Sequence, residues 1–165
     1  MKTFKTLIAA AAIALFAGQA KAEEMSKHCL DVVARLVETA DVGFDKMDRQ
    51  IAILSGAFTG RIQFLCTAGG EGITMRTESF PSNDRITEAA LVGSVLTGAP
   101  QASLKKVIRS CTLKAEKERV VDGDQSDPVE MEIQKAIVTC TPTLYWNSKE
   151  PIPEGFKAGV IIGIP

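Results

Sequence analysis

The sequence has few of the side chains on which hydrolytic and metal-dependent chemistry most often relies. It contains one histidine, one tryptophan and one tyrosine in 165 residues. The single histidine, His28, would have to be the general base of any serine triad, and a zinc site of several histidines is excluded by count. His28 adjoins Cys29, but adjacent residues of a helix do not face each other, so this pair does not predict a thiol nucleophile. We expect His28 to be a solvated residue.

Long apolar runs are also lacking beyond the first segment of the chain. That segment carries Lys2 and Lys5 without an acid, continues with the apolar run Leu7–Phe16, and closes with the small residues Ala20 and Ala22. This order is typical of a secretory signal, and we predict cleavage after Ala22. An uncleaved anchor is the alternative, but a spanning helix needs about 20 apolar residues, roughly twice the length of this run.

Removal of the signal would change the charge of the chain. Lys2, Lys5 and Lys21 would leave with it, which lowers the formal net charge from −1 to −4. A mildly acidic surface lacks the concentrated basic footprint of a nucleic-acid-binding protein, and no later apolar run is long enough to span a membrane. We therefore predict one exported domain over residues 23–165, in the bacterial periplasm or secreted to the medium.

Four cysteines lie in the predicted domain, namely Cys29, Cys66, Cys111 and Cys140. An even number of cysteines in an exported chain predicts two disulfides. The wide spacing contains no C-x-x-C pair, which argues against a redox motif or a zinc ribbon.

Apolar periodicity predicts both helices and strands. Residues 26–40 form an amphipathic helix capped by Ser26, and a shorter helix follows over 44–54. Residues 60–78 alternate as a β-hairpin, and a helix over 84–96 is capped by Asn83 and ends at Gly98. Later segments are predicted as strands at 107–116, 129–140, 143–146 and 159–164.

The segments 107–116 and 129–140 are separated by turn-forming residues, so we predict that they pair as a second hairpin. A register chosen to place Cys111 opposite Cys140, within reach of a disulfide, also sets Arg119 against Glu132 and Glu116 against Lys135, and these charge pairs support it. Cys29 would then pair with Cys66. Sequence alone leaves the two crossed connectivities open.

Three other segments could be functional sites, but a purely structural role is the simpler interpretation of each. Gly69–Gly72 is a hairpin turn rather than an anion-binding loop, because no helix follows it. Glu130 and Glu132 share one strand face, as paired catalytic acids could, but a solvated face is the simpler interpretation. The acidic loop Asp122–Asp127 lacks the glycine at position 6 and the distal glutamate of an EF-hand calcium loop. We predict no metal and no cofactor.

Tyr145 and Trp146 form the one dense aromatic spot. Packing in the core is the simpler interpretation, but an exposed ring on this strand would be a partner-binding hot spot.

The sequence thus predicts a single α+β domain. N-terminal helices pack on an antiparallel sheet of two hairpins and C-terminal strands, held by two disulfides. We expect a non-catalytic interaction protein of the cell envelope, either an accessory subunit or an inhibitor, whose protein partner is unknown. The alternatives are a periplasmic hydrolase using Asp, Glu or Ser residues and a carrier of a small apolar ligand.

Overall fold

A computed structural model describes residues 25–67, 69–77, 82–122, 128–142 and 157–165. It confirms the predicted α+β class, with three described helices packed on a seven-stranded antiparallel sheet. The helices are α1 (Lys27–Thr39), α2 (Asn83–Thr97) and α3 (Gln101–Asp122). The strands are β1 (Gly43–Asp48), β2 (Ile51–Gly56), β3 (Gly60–Thr67), β4 (Gly70–Thr77), β5 (Val129–Ile133), β6 (Ala136–Thr141) and β7 (Ala158–Ile164).

The strand order is β1-β2-β3-β4-β7-β6-β5. The first four strands form a meander, and β7 returns from the C-terminal end to pair with both β4 and β6. The sequence predicts β7 as a terminal strand that needs a neighbour to cover its edge. In the structure this strand, rich in β-branched residues, has a neighbour on each side.

All three helices lie on one face of the sheet. Each has an anchoring contact with a strand: Cys29–Cys66 for α1, Gly93 against Ile162 for α2, and Cys111–Cys140 for α3. Cross-strand pairing puts Cys66, Ile162 and Cys140 on the same face, because opposed residues and residues two apart point the same way. The core fills the space between these two layers, and its largest fully buried side chain is Phe64 of β3.

The ends of α1 and α2 largely follow the sequence signals. Ser26 caps α1 by accepting a hydrogen bond from the Cys29 amide at 3.2 Å. Gly98 ends α2 in the left-handed conformation, with φ of 72°. The predicted cap of α2 is wrong by one residue, because Ser82 holds the cap position and Asn83 begins the helix.

The predicted helix over 44–54 is wrong, since these residues form β1, a turn and β2. A β-bulge between Phe44 and Lys46 explains the error. The extra residue lets Phe44 and Met47, three positions apart, both pack against the core. A bulged strand thereby reproduces the three-residue spacing of a helix. The turn also places Arg49 at φ of 55°, without a glycine to mark it.

The predicted strand over 107–116 is also wrong, because the segment lies inside α3. The buried residues Leu104, Ile108, Cys111 and Ala115 recur at helical spacing, whereas alternation would group Cys111 with Arg109 and Leu113, which are exposed. The disulfide pairing is nevertheless as favoured. Cys111 and Cys140 are joined with a Cα–Cα distance of 5.8 Å, and Cys29 and Cys66 with 6.0 Å. The first bond links a helix to a strand, not two strands of a hairpin.

The segment predicted as one strand over 129–140 is two strands. β5 and β6 pair with each other across a tight turn at Gln134 and Lys135. Gln134 takes φ of 54°, a conformation usually held by glycine or asparagine, so the sequence gives little sign of the turn.

No helix of the described part of the chain is long and apolar enough to cross a membrane.

Candidate functional site

The face of the sheet opposite the helices is the principal candidate surface. We call it the outer face and define it by residues on four adjacent strands: Leu65 of β3, Gly72 and Thr74 of β4, Ile161 and Gly163 of β7, and Ile137 of β6. These residues alternate with core residues along each strand, so they point away from the helices. Leu65 is 45% exposed and Ile161 is 37% exposed.

One cross-strand row of the outer face has no side chains at its centre. Leu65 is opposite Gly72, Gly72 is opposite Gly163, and Ile137 is opposite Gly163. Two neighbouring glycines therefore leave bare backbone between a leucine and an isoleucine. The neighbouring row has Thr74 beside Ile161, so it stands higher than the glycine row. The result is a shallow trough across β4 and β7, which we call the glycine trough.

Internal packing does not require either glycine. A Cβ atom at Gly72 would lie 3.7 Å from the nearest atom, the carbonyl oxygen of Ile162, and at Gly163 it would lie 3.8 Å from the carbonyl oxygen of Glu71. Both are ordinary van der Waals distances. Glycine within a strand weakens the sheet, and it often marks a position where a ligand or another chain approaches the backbone closely. The glycine trough fits that description.

A second candidate surface is the turn between β2 and β3. Phe58 is 55% exposed there, although the turn itself is held firmly by α2. The Glu88 carboxylate accepts hydrogen bonds from the Phe58 amide at 3.1 Å and the Thr59 amide at 2.5 Å, and Arg85 Nε donates to the Phe58 carbonyl at 3.2 Å. An aromatic side chain on a preorganised turn suits a contact with a partner, because little entropy is lost when it binds.

The structure also brings His28 to Glu71, which are 43 residues apart. His28 Nε2 lies 2.5 Å from Glu71 Oε1, and the histidine side chain is 68% exposed, in agreement with the predicted solvated position. A histidine held by a carboxylate is the orienting half of a catalytic triad, but a nucleophile is also needed. Ser26, the serine nearest in sequence, is bonded to Cys29 through both its donor and its acceptor role. Among the described residues the ring has no hydrogen-bond partner other than Glu71.

The carboxylates predicted as possible paired acids are on an exposed strand. Glu130 and Glu132 lie on β5, the last strand of the sheet, and both are exposed. Their positions opposite Thr139 and Ile137 place them at the border of the outer face. Within the described ranges no group of three or more His, Cys, Asp or Glu side chains could hold a metal ion.

Several predicted site residues lie outside the described residues. These are Tyr145 and Trp146, the signal residues Ala20 and Ala22, and most of the acidic loop after Asp122. All four cysteines are described and all four are in disulfides.

Sequence reasoning did not identify the outer face, although the signal was present. Leu65, Gly72 and Gly163 have the strand parity opposite to the buried residues, and two of them are glycines within strands. The missing information was that β4 and β7 are neighbours, which brings Gly72 and Gly163 together.

Comparison of the chain with protein families, with curated proteins and with solved structures finds no match.

Proposed function

We propose that the protein is a non-catalytic interaction protein of the bacterial cell envelope, an accessory subunit or an inhibitor, and that its outer face binds a partner protein. The observation that carries the proposal is the glycine trough, bordered by Leu65, Ile137 and Ile161. Exposed apolar side chains beside bare backbone match the core of a protein interface, where partners pack closely and exclude water.

An interaction role is favoured over catalysis by the chemistry of the described residues. The one histidine is paired with Glu71 without a nucleophile, and Glu130 and Glu132 are solvated on an outermost strand. Among the described residues, the apolar side chains of the outer face lie on the surface of a sheet, which suits another protein surface better than a small substrate.

The location of the protein is proposed on two grounds. Two disulfides indicate that the chain folds in an oxidising compartment. The first 22 residues have the order of a secretory signal, with lysines, a short apolar run and small residues before the cleavage point. The periplasm, or the medium outside the cell, meets both conditions.

The test is affinity capture of the processed protein from its own envelope fraction under cross-linking. Wild type is compared with Leu65→Lys and Ile161→Lys, which place a charge on the outer face at positions that are already partly exposed. We expect each variant to capture at least about tenfold less of the partner, because a lysine ammonium buried in an interface loses its hydration.

The matched control is Thr39→Lys, which adds the same side chain at an exposed position of α1 on the opposite side of the molecule. It should capture as much partner as wild type. Capture of no partner by wild type, or equal capture by all four proteins, would contradict the proposal.

A further inference from the structure

The solvent-exposed side of α3 is a surface to which the proposed function assigns no role. Its buried residues face the sheet, and Cys111 is bonded to Cys140 of β6. Each helical residue advances about 100° around the axis, so Lys106, Leu113 and Lys117 lie opposite the buried side. All three are exposed, and Leu113 is 49% exposed. We call this line of residues, together with Arg109, the basic stripe.

The basic stripe carries a marked local charge. α3 contains six Lys or Arg residues and three Asp or Glu residues, and three of the cations, Lys106, Arg109 and Lys117, are on the stripe. Lys106 and Lys117 have no ion-pair partner among the described residues, and Arg109 donates to the neutral Asn83 side chain at 2.7 Å. No acid of the described residues therefore neutralises the three cations of the stripe, Lys106, Arg109 and Lys117. If α3 were a strand, as predicted for residues 107–116, Lys106 would point to the face opposite that of Arg109 and Lys117. In the helix, the three side chains lie on the same side.

We infer that the basic stripe binds the protein to an anionic phospholipid bilayer. Charge complementarity identifies the occupant: the stripe presents three cations on one helix face, and each Lys or Arg near an anionic bilayer contributes about 1 kcal/mol of attraction, or about fivefold in affinity. The stripe is straight, and two of its three cations are lysines, which act as point charges and suit a diffuse anionic surface. Leu113, between Lys106 and Lys117, can enter the interfacial layer of the bilayer while α3 stays packed on the sheet.

This orientation leaves the outer face accessible. The helices and the outer face are on opposite sides of the sheet, so a protein that rests on a bilayer through α3 turns the glycine trough away from it. The inference does not depend on the partner-binding proposal, because it concerns a different surface and a different ligand.

The test is co-sedimentation of the protein with vesicles. The protein is purified from the exporting cell with its disulfides intact, and all variants then have the same N-terminus. The probes are vesicles of phosphatidylglycerol mixed with phosphatidylcholine and vesicles of phosphatidylcholine alone. We expect binding to the anionic vesicles only, and we expect it to weaken as salt is raised above about 0.15 M.

Charge reversal at the stripe should abolish this binding. The double variant Lys106→Glu/Lys117→Glu should bind at least about tenfold more weakly, since each cation near an anionic surface contributes about fivefold in affinity. The conservative variant Lys106→Arg/Lys117→Arg should bind as wild type does. The matched control is Lys46→Glu/Lys135→Glu, which changes the net charge equally at exposed positions outside α3 and should retain binding.

The inference fails under any of three results. One is that wild type does not bind the anionic vesicles. Another is that both double reversals to glutamate weaken binding equally, which would assign the effect to net charge. The third is binding to soluble polyglutamate but not to the vesicles, which would make the partner an acidic polypeptide. Circular dichroism and intact mass confirm that each variant is folded and oxidised.

Discussion

At the residue scale, the glycines of the sheet differ in what an added methyl group would meet. Gly72 and Gly163 have room for a Cβ, whereas Gly70 does not. A Cβ on Gly70 would lie 2.5 Å from the Ile164 carbonyl oxygen, and its φ of +141° is unfavourable for other residues. The sheet therefore does not require glycine at the two trough positions, but it does require glycine at Gly70.

Alanine substitution separates the two kinds of glycine. We expect Gly72→Ala and Gly163→Ala each to raise the free energy of unfolding by about 0.5 kcal/mol, because alanine loses less conformational entropy in a strand. Gly70→Ala should lower it by about 1 kcal/mol or more. Urea denaturation measures all three. A loss of stability in the trough variants equal to that of Gly70→Ala would show that the trough is packed internally.

Glu88 is the residue that fixes the β2–β3 turn. Glu88→Ala would remove the acceptor of the Phe58 and Thr59 amides, and we expect it to cost about 1 kcal/mol of stability. Amide hydrogen exchange should become faster at Thr59, whose amide is partly buried. The control is Glu130→Ala, which removes an exposed carboxylate and should change stability by less than about 0.5 kcal/mol. Unchanged exchange at Thr59 in Glu88→Ala would contradict the role assigned to Glu88.

At the element scale, helices and strands could be predicted where the apolar residues of the whole element recur at one regular spacing. The helix at 26–40 and the hairpin at 60–78 have regular periods and were predicted correctly, except that Gly70–Gly72, which we predicted as part of the hairpin turn, belong to β4. β1 contains a bulge that mimics helical spacing, and α3 contains a run whose alternation in sequence does not match its burial. Both errors arise because burial is set by the tertiary neighbours, which a single sequence does not display.

The disulfide between α3 and β6 was predicted correctly, although the segment that contains Cys111 was predicted as a strand and is a helix. A helix residue and a strand residue in adjacent layers can approach as closely as two opposed strand residues, so the pairing did not depend on the hairpin. The two bonds close loops of similar length, with sequence separations of 37 and 29.

Removal of either disulfide should therefore have a similar effect. We expect Cys111→Ala/Cys140→Ala and Cys29→Ala/Cys66→Ala each to lower the free energy of unfolding by about 3–4 kcal/mol, mainly by enlarging the unfolded ensemble. Chemical denaturation gives the loss for each pair. Intact mass after alkylation without reduction should show no added group in wild type, and four additions would contradict both bonds.

At the scale of the whole molecule, the fold has two layers with different outward surfaces. The helix layer carries the basic stripe, and the sheet layer carries the glycine trough between Leu65 and Ile137. The fold class and the two disulfides could be predicted from the sequence, because they follow from composition, periodicity and cysteine count. The outer face could not, because it depends on the insertion of β7 between β4 and β6, a pairing across more than 80 positions of the chain.

Contact between the outer face and a partner protein can be tested in the cell by position-specific photo-cross-linking. A photoreactive residue is placed at Ile161 on the outer face, or at Ala102 on the opposite side, and the cells are irradiated while they express the protein. We expect a discrete cross-linked species from position 161 that is absent from position 102 and reduced when Gly72→Ala/Gly163→Ala narrows the trough. No species from position 161, or the same species from both positions, would contradict that contact.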